Sequence, residues 1–267
     1  MRGKRRQPSN YFTSAFAVTF MALTCLFIPF FTGEKKISQA AKPDACQPVE
    51  ESRAGTEPAF KLLISAKNGE ELELVCLIKF DFAAKKISVA SFPPSAAAVK
   101  TLVAAPADRF ARMGMADFAG LIDYIGAVSY SVPYNMVYNE GEGGRYINIP
   151  EGRQKLGGER IRTIFEFPGF EGGELQRIHM QTDIIARGIE QRFDKDFAGQ
   201  LESVFRYFVN LADTNLTYLD FMRLENSFAE LCTEGAKVEA IFPEGIFDGG
   251  VFSFSEENLA IVRDVFS

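Results

Sequence analysis

From Tyr11 to Gly33 the chain runs 23 residues without a charge. The stretch is rich in Phe, Ala, Leu and Ile, follows the basic run Arg2-Gly-Lys-Arg-Arg6, and ends at Glu34-Lys-Lys36. About 20 apolar residues suffice for a helix to cross the hydrocarbon core of a bilayer. By the positive-inside tendency the basic flank stays in the cytoplasm. This reads as a single-pass anchor in the cytoplasmic membrane over 11–33, behind a cytoplasmic basic tail over 1–10, with the main domain extracytoplasmic. A cleaved signal peptide is the alternative, and it needs a shorter core and a small-residue cleavage site. Here the core is long and closes on bulky Phe30-Phe31, although Ser38-Gln-Ala-Ala41 could be cut. Under either reading the domain that follows is exported.

Residues 34–58 carry Ser, Ala, Pro, Glu and Gly with no apolar periodicity, which is the composition of a flexible linker. The remainder, 59–267, is long enough for one domain with its own core. The net charge of −6 argues against a nucleic-acid partner, since neutralising phosphates takes a basic face. One histidine and four cysteines without a C-x-x-C pair leave no zinc-site pattern. Cys25 lies in the apolar run and Cys76 in an apolar strand, where cysteine behaves as a small hydrophobe. A Cys46–Cys232 disulfide stays open, because spacing cannot decide it.

Within 59–267, three apolar runs come first: 60–65, 72–82 and 86–92, the last two joined by Ala83-Ala-Lys85. Ile87 and Val89 alternate with Ser88 and Ala90, and Val75, Leu77 and Ile78 read as buried on both faces, so these are central-sheet strands. Residues 95–105 read as a short helix, 118–125 as a helix closed by Gly126, and 128–132 and 146–149 as strands around a Gly141–Gly144 hairpin loop. Residues 152–158 read as a turn-rich link into a strand over 161–167. Leu175, Ile178, Thr182, Ile185 and Ile189 place one buried stripe on a helix over 174–193. Further helices are expected over 197–211, from Thr217 with its Asp220 capping partner to about Leu231, and from Ser255 to Phe266, with a strand over 238–242 between them. Strands alternating with helices predict a layered α/β/α domain around a central mixed sheet.

The order of these pieces resembles the LytR-CpsA-Psr family. The segments that carry the resemblance are Leu72-Glu-Leu-Val-Cys-Leu-Ile-Lys-Phe-Asp81, Lys85-Lys-Ile-Ser-Val-Ala-Ser-Phe-Pro93, Phe118-Ala-Gly-Leu-Ile-Asp-Tyr-Ile-Gly126, Ile149-Pro-Glu-Gly-Arg-Gln-Lys-Leu-Gly-Gly-Glu159, Glu174-Leu-Gln-Arg177 with Gln181, and Thr214-Asn-Leu-Thr217. The resemblance implies an exported domain that transfers glycopolymers from a polyprenyl-pyrophosphate lipid to the cell wall, generally with a divalent metal. Such a site needs cations over the pyrophosphate oxygens as charge moves to the leaving group.

Measured against that pattern, the charge constellation is thin. Glu73 stands where the family's strand Asp is expected and is the candidate metal ligand, with Mg2+ the cation if the chain is active and no cofactor otherwise. The Arg-Asp expected after Ser91-Phe-Pro93 is Pro94-Ser95. The arginines expected beyond Glu159 fall at Glu166 and Pro168, and the second arginine of the helix pattern falls at Met180. Arg177 and Gln181 remain as candidate ligands for phosphate, Arg177 also as the candidate catalytic cation; the plain alternative is an Arg177 paired with Glu174 or Glu171. His179 reads as a solvent-facing helix residue, Ser91 and Ser95 as structural, and Arg109, Arg112, Arg153 and Lys155 as solvated charges.

Losing one transition-state donor costs about 3 kcal/mol, so losing several leaves little catalysis. The resemblance thus implies a membrane-anchored protein of cell envelope biogenesis with weak or lost transfer, whose partners are the membrane and polyprenyl-phosphate lipids or wall polymers. Two alternatives stand beside it: a non-enzymatic scaffold or binding module at the membrane's outer surface, and an active phosphotransferase with substituted ligands.

Overall fold

A computed structural model describes residues 58–94, 107–248 and 251–267. Residues Ser52–Ser267 form a unit of their own. The expected anchor over 11–33, Cys46 and the expected helix over 95–105 lie outside the described residues. Among those described, no helix is long and apolar enough to cross a membrane.

The chain opens with three antiparallel strands, β1 (Ala59–Asn68), β2 (Glu71–Asp81) and β3 (Lys86–Ser91), at the three expected apolar runs. Lys85 turns the second hairpin with φ 51°. Next come β4 (Arg109–Gly114), the helix α1 (Met115–Ile125), and the strands β5 (Val128–Val132), β6 (Met136–Asn139), β7 (Tyr146–Ile149) and β8 (Gly152–Leu156). The helices α2 (Gly158–Phe165), α3 (Gly173–Arg192), α4 (Lys195–Ala198) and α5 (Leu201–Leu211) follow. The chain finishes with β9 (Asp213–Thr214), α6 (Tyr218–Glu234), β10 (Lys237–Ala240), β11 (Gly245–Asp248), β12 (Val251–Phe254) and α7 (Glu256–Phe266).

Six strands make the central sheet in the order β10-β3-β2-β1-β4-β9. The sheet is mixed: β1–β4 and β3–β10 are parallel, the other pairs antiparallel. β2 is buried on both sides, with Leu74 to Ile78 all inaccessible. Alternation along the strand sorts these residues into two cores. Leu74, Cys76, Ile78 and Phe80 join Ile184 of α3, Leu224 of α6 and Ile161 of α2 on one face. Val75, Leu77, Ala90 and Phe92 meet Val262 and Phe266 of α7 on the other. The expected layered arrangement around a mixed sheet is what the chain adopts.

Several boundaries differ from the sequence reading. The link expected over 152–158 is β8, which pairs antiparallel with β5 from Val128↔Leu156 to Val132↔Gly152. The strand expected over 161–167 is the helix α2. Its fully buried residues Ile161, Ile164 and Phe165 fall at helical spacing, and a run this short is ambiguous by periodicity alone. The helix expected over 197–211 breaks into α4 and α5 at Gly199-Gln200. β4, β6, β9, β11 and β12 carry too few alternating apolar residues to stand out. The two sequence-level N-caps are present: Thr217 and Asp220 form a capping box on α6, and Ser255 accepts from the Asn258 N–H on α7.

α1 and α2 touch at their backbones. Gly158 opens α2, its N–H donates to Asp123 Oδ1 at 2.7 Å, and a Cβ there would collide with the Ala119 carbonyl. Gly158→Ala is therefore expected to lower the unfolding free energy by about 2 kcal/mol in urea titration, since α1 must shift to admit the methyl. An unchanged midpoint would mean the two helices separate freely.

Cys76 and Cys232 are both buried. Burial pushes the Cys76 thiol up to about 12 and the Cys232 thiol to about 11, so neither is a thiolate at neutral pH.

Candidate functional site

Glu73, Arg177 and Gln181 do come together, and a defect in the sheet is the reason. Along β1 and β2 the register runs Ala66↔Leu74 and then Lys67↔Leu72, so Glu73 is the extra residue of a β-bulge. A bulged residue loses its ladder partners, and its carbonyl must find others. Gln181 Nε2 donates to the Glu73 carbonyl at 2.9 Å and Arg177 Nη1 at 3.3 Å. Both side chains project from α3, one turn apart, towards that carbonyl.

The Arg177 guanidinium is held between two carboxylates. Its Nη1 donates to Glu73 Oε2 at 2.6 Å. Its Nε and Nη2 donate to the two Glu174 oxygens at 2.6 and 2.5 Å, a bidentate pair. The Arg177 side chain is 13% exposed. Burial by itself would lower its pKa, but the bonds and charges of Glu174 and then Glu73 outweigh that and leave it raised. For Glu73 burial dominates: it raises the carboxyl above its ordinary value, Arg177 offsets part of this, and Glu166 and Glu71 add repulsion.

A cleft of about 430 Å3 opens beside this cluster. Glu71, Glu73, Glu140, Glu166 and Glu174 line it, against two cations, Arg145 and Arg177; Phe167 and Phe170 form part of the wall. Glu166 stands where the family pattern expects an arginine. Its side chain is 5% exposed and takes Arg162 Nε at 2.9 Å and Arg145 Nη2 at 3.1 Å. Arg145 reaches it from the end of the glycine-rich loop between β6 and β7, which is the hairpin loop expected at 141–144. Sequence reasoning missed Arg145, since nothing beside the loop marks it as a site residue.

Most candidate cations in this cleft are thus already neutralised. A phosphate oxygen brought within about 4 Å of an uncompensated carboxylate is repelled by about 4 kcal/mol at an effective dielectric of about 20. The excess of carboxylates therefore matters more than the presence of Arg177. Among the described residues no three acidic, histidine or cysteine side chains are grouped to hold a metal ion, and Glu73 Oε2 is engaged by Arg177. Among the described residues, those lining the cleft do not fit the divalent cation that the resemblance implies.

Other expected residues fall elsewhere. Met180, at the second arginine position of the helix pattern, is buried in the core. His179 is half-buried rather than solvent-facing: its Nε2 lies 3.0 Å from the Pro243 carbonyl, and its ring meets Phe242 edge-on at 5.2 Å. Arg109 is no solvated charge, because Asp220 binds it at 2.5 and 2.9 Å. Arg153 and Lys155 are exposed as expected, and so is Arg112, whose guanidinium lies 4.5 Å over the Phe110 ring.

The sequence profile described as LytR_cpsA_psr family matches residues 95–262. No curated protein matches the chain. Among solved structures, a protein of Eubacterium siraeum DSM 15702, provisionally described as a transcription regulator, superposes with a TM-score of 0.71 at 14% identity, covering 85% of this chain and 98% of that one. TagV of B. subtilis superposes at 0.57 with 14% identity over 78% of this chain and 95% of its own. TagT bound to LIIa-WTA superposes at 0.53, with 14% identity, over 82% of this chain and 92% of its own. At such identities the agreement concerns the fold.

Proposed function

Because this chain belongs to the LytR-CpsA-Psr family, we propose that it is an exported, membrane-anchored protein of cell envelope biogenesis in which glycopolymer transfer has been lost. Members of the family transfer wall teichoic acid and other glycopolymers, and TagT has been captured bound to LIIa-WTA. The observation that supports loss of transfer is the Arg177 guanidinium, closed off by Glu73 and by a bidentate bond from Glu174 in a cleft with more carboxylates than cations. In this reading Arg177 and Gln181 are positioning residues that secure the bulge in β2. The export and the anchor rest on the uncharged run 11–33 with its basic flank.

The test uses the full chain in detergent. A short-chain polyprenyl pyrophosphate is titrated with and without Mg2+, and thermal stability and release of the lipid are followed. A ligand at a hundred times its Kd stabilises the folded state by about 2.7 kcal/mol, so binding would be plain. The expected result is no shift and no turnover in either condition. A Mg2+-dependent shift with turnover would overturn the proposal and favour a working transferase with substituted ligands. The observation on that side is Arg145, which brings a guanidinium into the cleft from a position outside the family pattern. In that case Arg145→Ala would abolish turnover.

A further inference from the structure

The end of the sheet opposite the cleft carries an exposed apolar face. β1 enters the sheet there at Ala59, while Asn68, Glu71 and Glu73 of the cleft lie at its far end. β4 runs parallel to β1 with Arg109 beside Leu62, and Arg109 binds Asp220 in the first turn of α6. The start of α6 is thereby pinned at the end where the chain enters the domain.

That first stretch of α6 exposes Tyr218, Leu219 and Met222 at 47%, 59% and 54%. Offsets of three and four place Met222 one turn from both others, on one side of the helix. The face is rigid: Phe221 is buried beneath it and stacks on Phe205 at 4.8 Å, and Tyr218 leans on Phe205 and Phe221 at 6.2 and 5.8 Å. Arg206 lies 5.2 Å over the Tyr218 ring and pairs with Glu202, which also accepts from the Tyr218 hydroxyl at 3.2 Å, while Arg223 is exposed beside Met222. Single exposed apolar side chains need no explanation. Three in adjoining turns, headed by a tyrosine and with the exposed Arg223 beside them, have the composition of a segment that sits at a membrane surface. The chain itself points to the occupant. Residues 34–58 join the domain at this end, and 11–33 is the run long and apolar enough to lie in a bilayer.

We propose that Tyr218, Leu219 and Met222 at the start of α6 rest in the headgroup region of a phospholipid bilayer, so that the domain docks with the entry end of β1 towards the lipid. Arg109, which holds Asp220 of α6, lies beside Leu62, and Asn68 of the cleft is six residues further along β1, about 20 Å at about 3.3 Å per residue. The cleft then lies towards the end of β1 away from the lipid. The anchored topology rests on the reading given under the proposed function; the docking face does not, and the two are tested apart.

The probe for docking is a vesicle of phosphatidylglycerol and phosphatidylethanolamine, sedimented with residues Ser52–Ser267, which form a unit of their own. The wild type is expected to co-sediment. The neutral double variant Leu219→Gln/Met222→Gln is expected to partition at least about tenfold less, a change of about 1.4 kcal/mol, with an unchanged Tm because both side chains are exposed. Ile246→Gln on β11, exposed at 73%, serves as the control and is expected to bind as wild type. The proposal is overturned if the wild type stays in the supernatant, if the double variant binds as well as wild type, or if Ile246→Gln weakens binding equally. It is also overturned if the wild type self-associates without vesicles through Leu219 and Met222, which assigns the face to a second copy. Separately, carbonate washing of membranes carrying the full chain tests the anchor. Extraction by carbonate alongside intact vesicle binding removes the anchor and leaves the docking face standing.

Discussion

Arg177→Ala is expected to lower the unfolding free energy by about 3 kcal/mol near neutral pH, because it strands two partly buried carboxylates without their cation. Glu73 and Glu174 both lose their guanidinium bonds, and the bulge carbonyl keeps only Gln181. The loss also depends on pH, with a definite sign. Burial already holds the Glu73 pKa above its ordinary 4.5. A carboxyl raised in this way contributes stability that is present below its unfolded pKa and lost as pH rises through its folded one. Removing Arg177 removes the influence that lowers the Glu73 pKa, so the variant's deficit should be smallest at and below about pH 4.5 and grow towards neutrality. Urea titrations at several pH values measure this, followed by circular dichroism since the chain has no Trp. A near-zero deficit at all pH values would return Arg177 to the role of a poised phosphate ligand. Arg177→Lys should fall between, since a single ammonium cannot replace the bidentate fork on Glu174.

The second large effect is expected at Asp220. Its Oδ2 accepts from the backbone N–H and the hydroxyl of Thr217 at 2.8 and 2.6 Å, and its two oxygens take the Arg109 fork. Asp220→Ala removes one half of a capping box, worth about 1 kcal/mol, together with a part-buried ion pair. The expected loss is about 3 kcal/mol. The Arg109 bond, opposed by burial and aided by Thr217, holds the Asp220 carboxyl at about 2, below its ordinary 3.8. For a depressed carboxyl the contribution is present above the unfolded pKa and lost as pH falls through the folded one. Wild type should therefore lose this part of its stability between about pH 4 and pH 2, and Asp220→Ala should show a flatter acid limb. An acid limb as steep in the variant as in wild type would mean the Arg109 pair does not carry this stability. Because Asp220 pins the start of α6 to β4, the same variant should also loosen the face that bears Tyr218, Leu219 and Met222.

How much could be read in advance follows from how local each signal is. β1, β2 and β3 were legible because period-two alternation and a doubly buried run are written in consecutive residues. The same holds for the stripe on α3, where Ile178 and Thr182 are buried as their spacing demands. The caps of α6 and α7 were legible too, since a capping box spans four residues. β8 and α2 differ from the sequence reading in a segment where short apolar runs suit either period, and the pairing that decides between them lies with β5 and α1, some 20 to 35 residues away.

The candidate site divides along the same line. Local order along the chain determined that Glu174, Arg177 and Gln181 share one side of α3, and the resemblance implied that Glu166, Pro168 and Met180 take the place of arginines. It also determined the uncharged run 11–33 and, with it, the expectation of an exported domain. Only the tertiary structure decided what surrounds Arg177. An arginine's role depends on which charges surround it, and Glu73 comes from a strand more than a hundred residues away, swung out by a bulge that no period-two pattern announces. Arg145 meets Glu166 from 21 residues away, and Arg109 meets Asp220 from 111 residues away. Apolar periodicity is a property of the backbone repeat and is visible in one dimension, whereas charge pairing depends on distances of a few ångströms that only the folded chain sets.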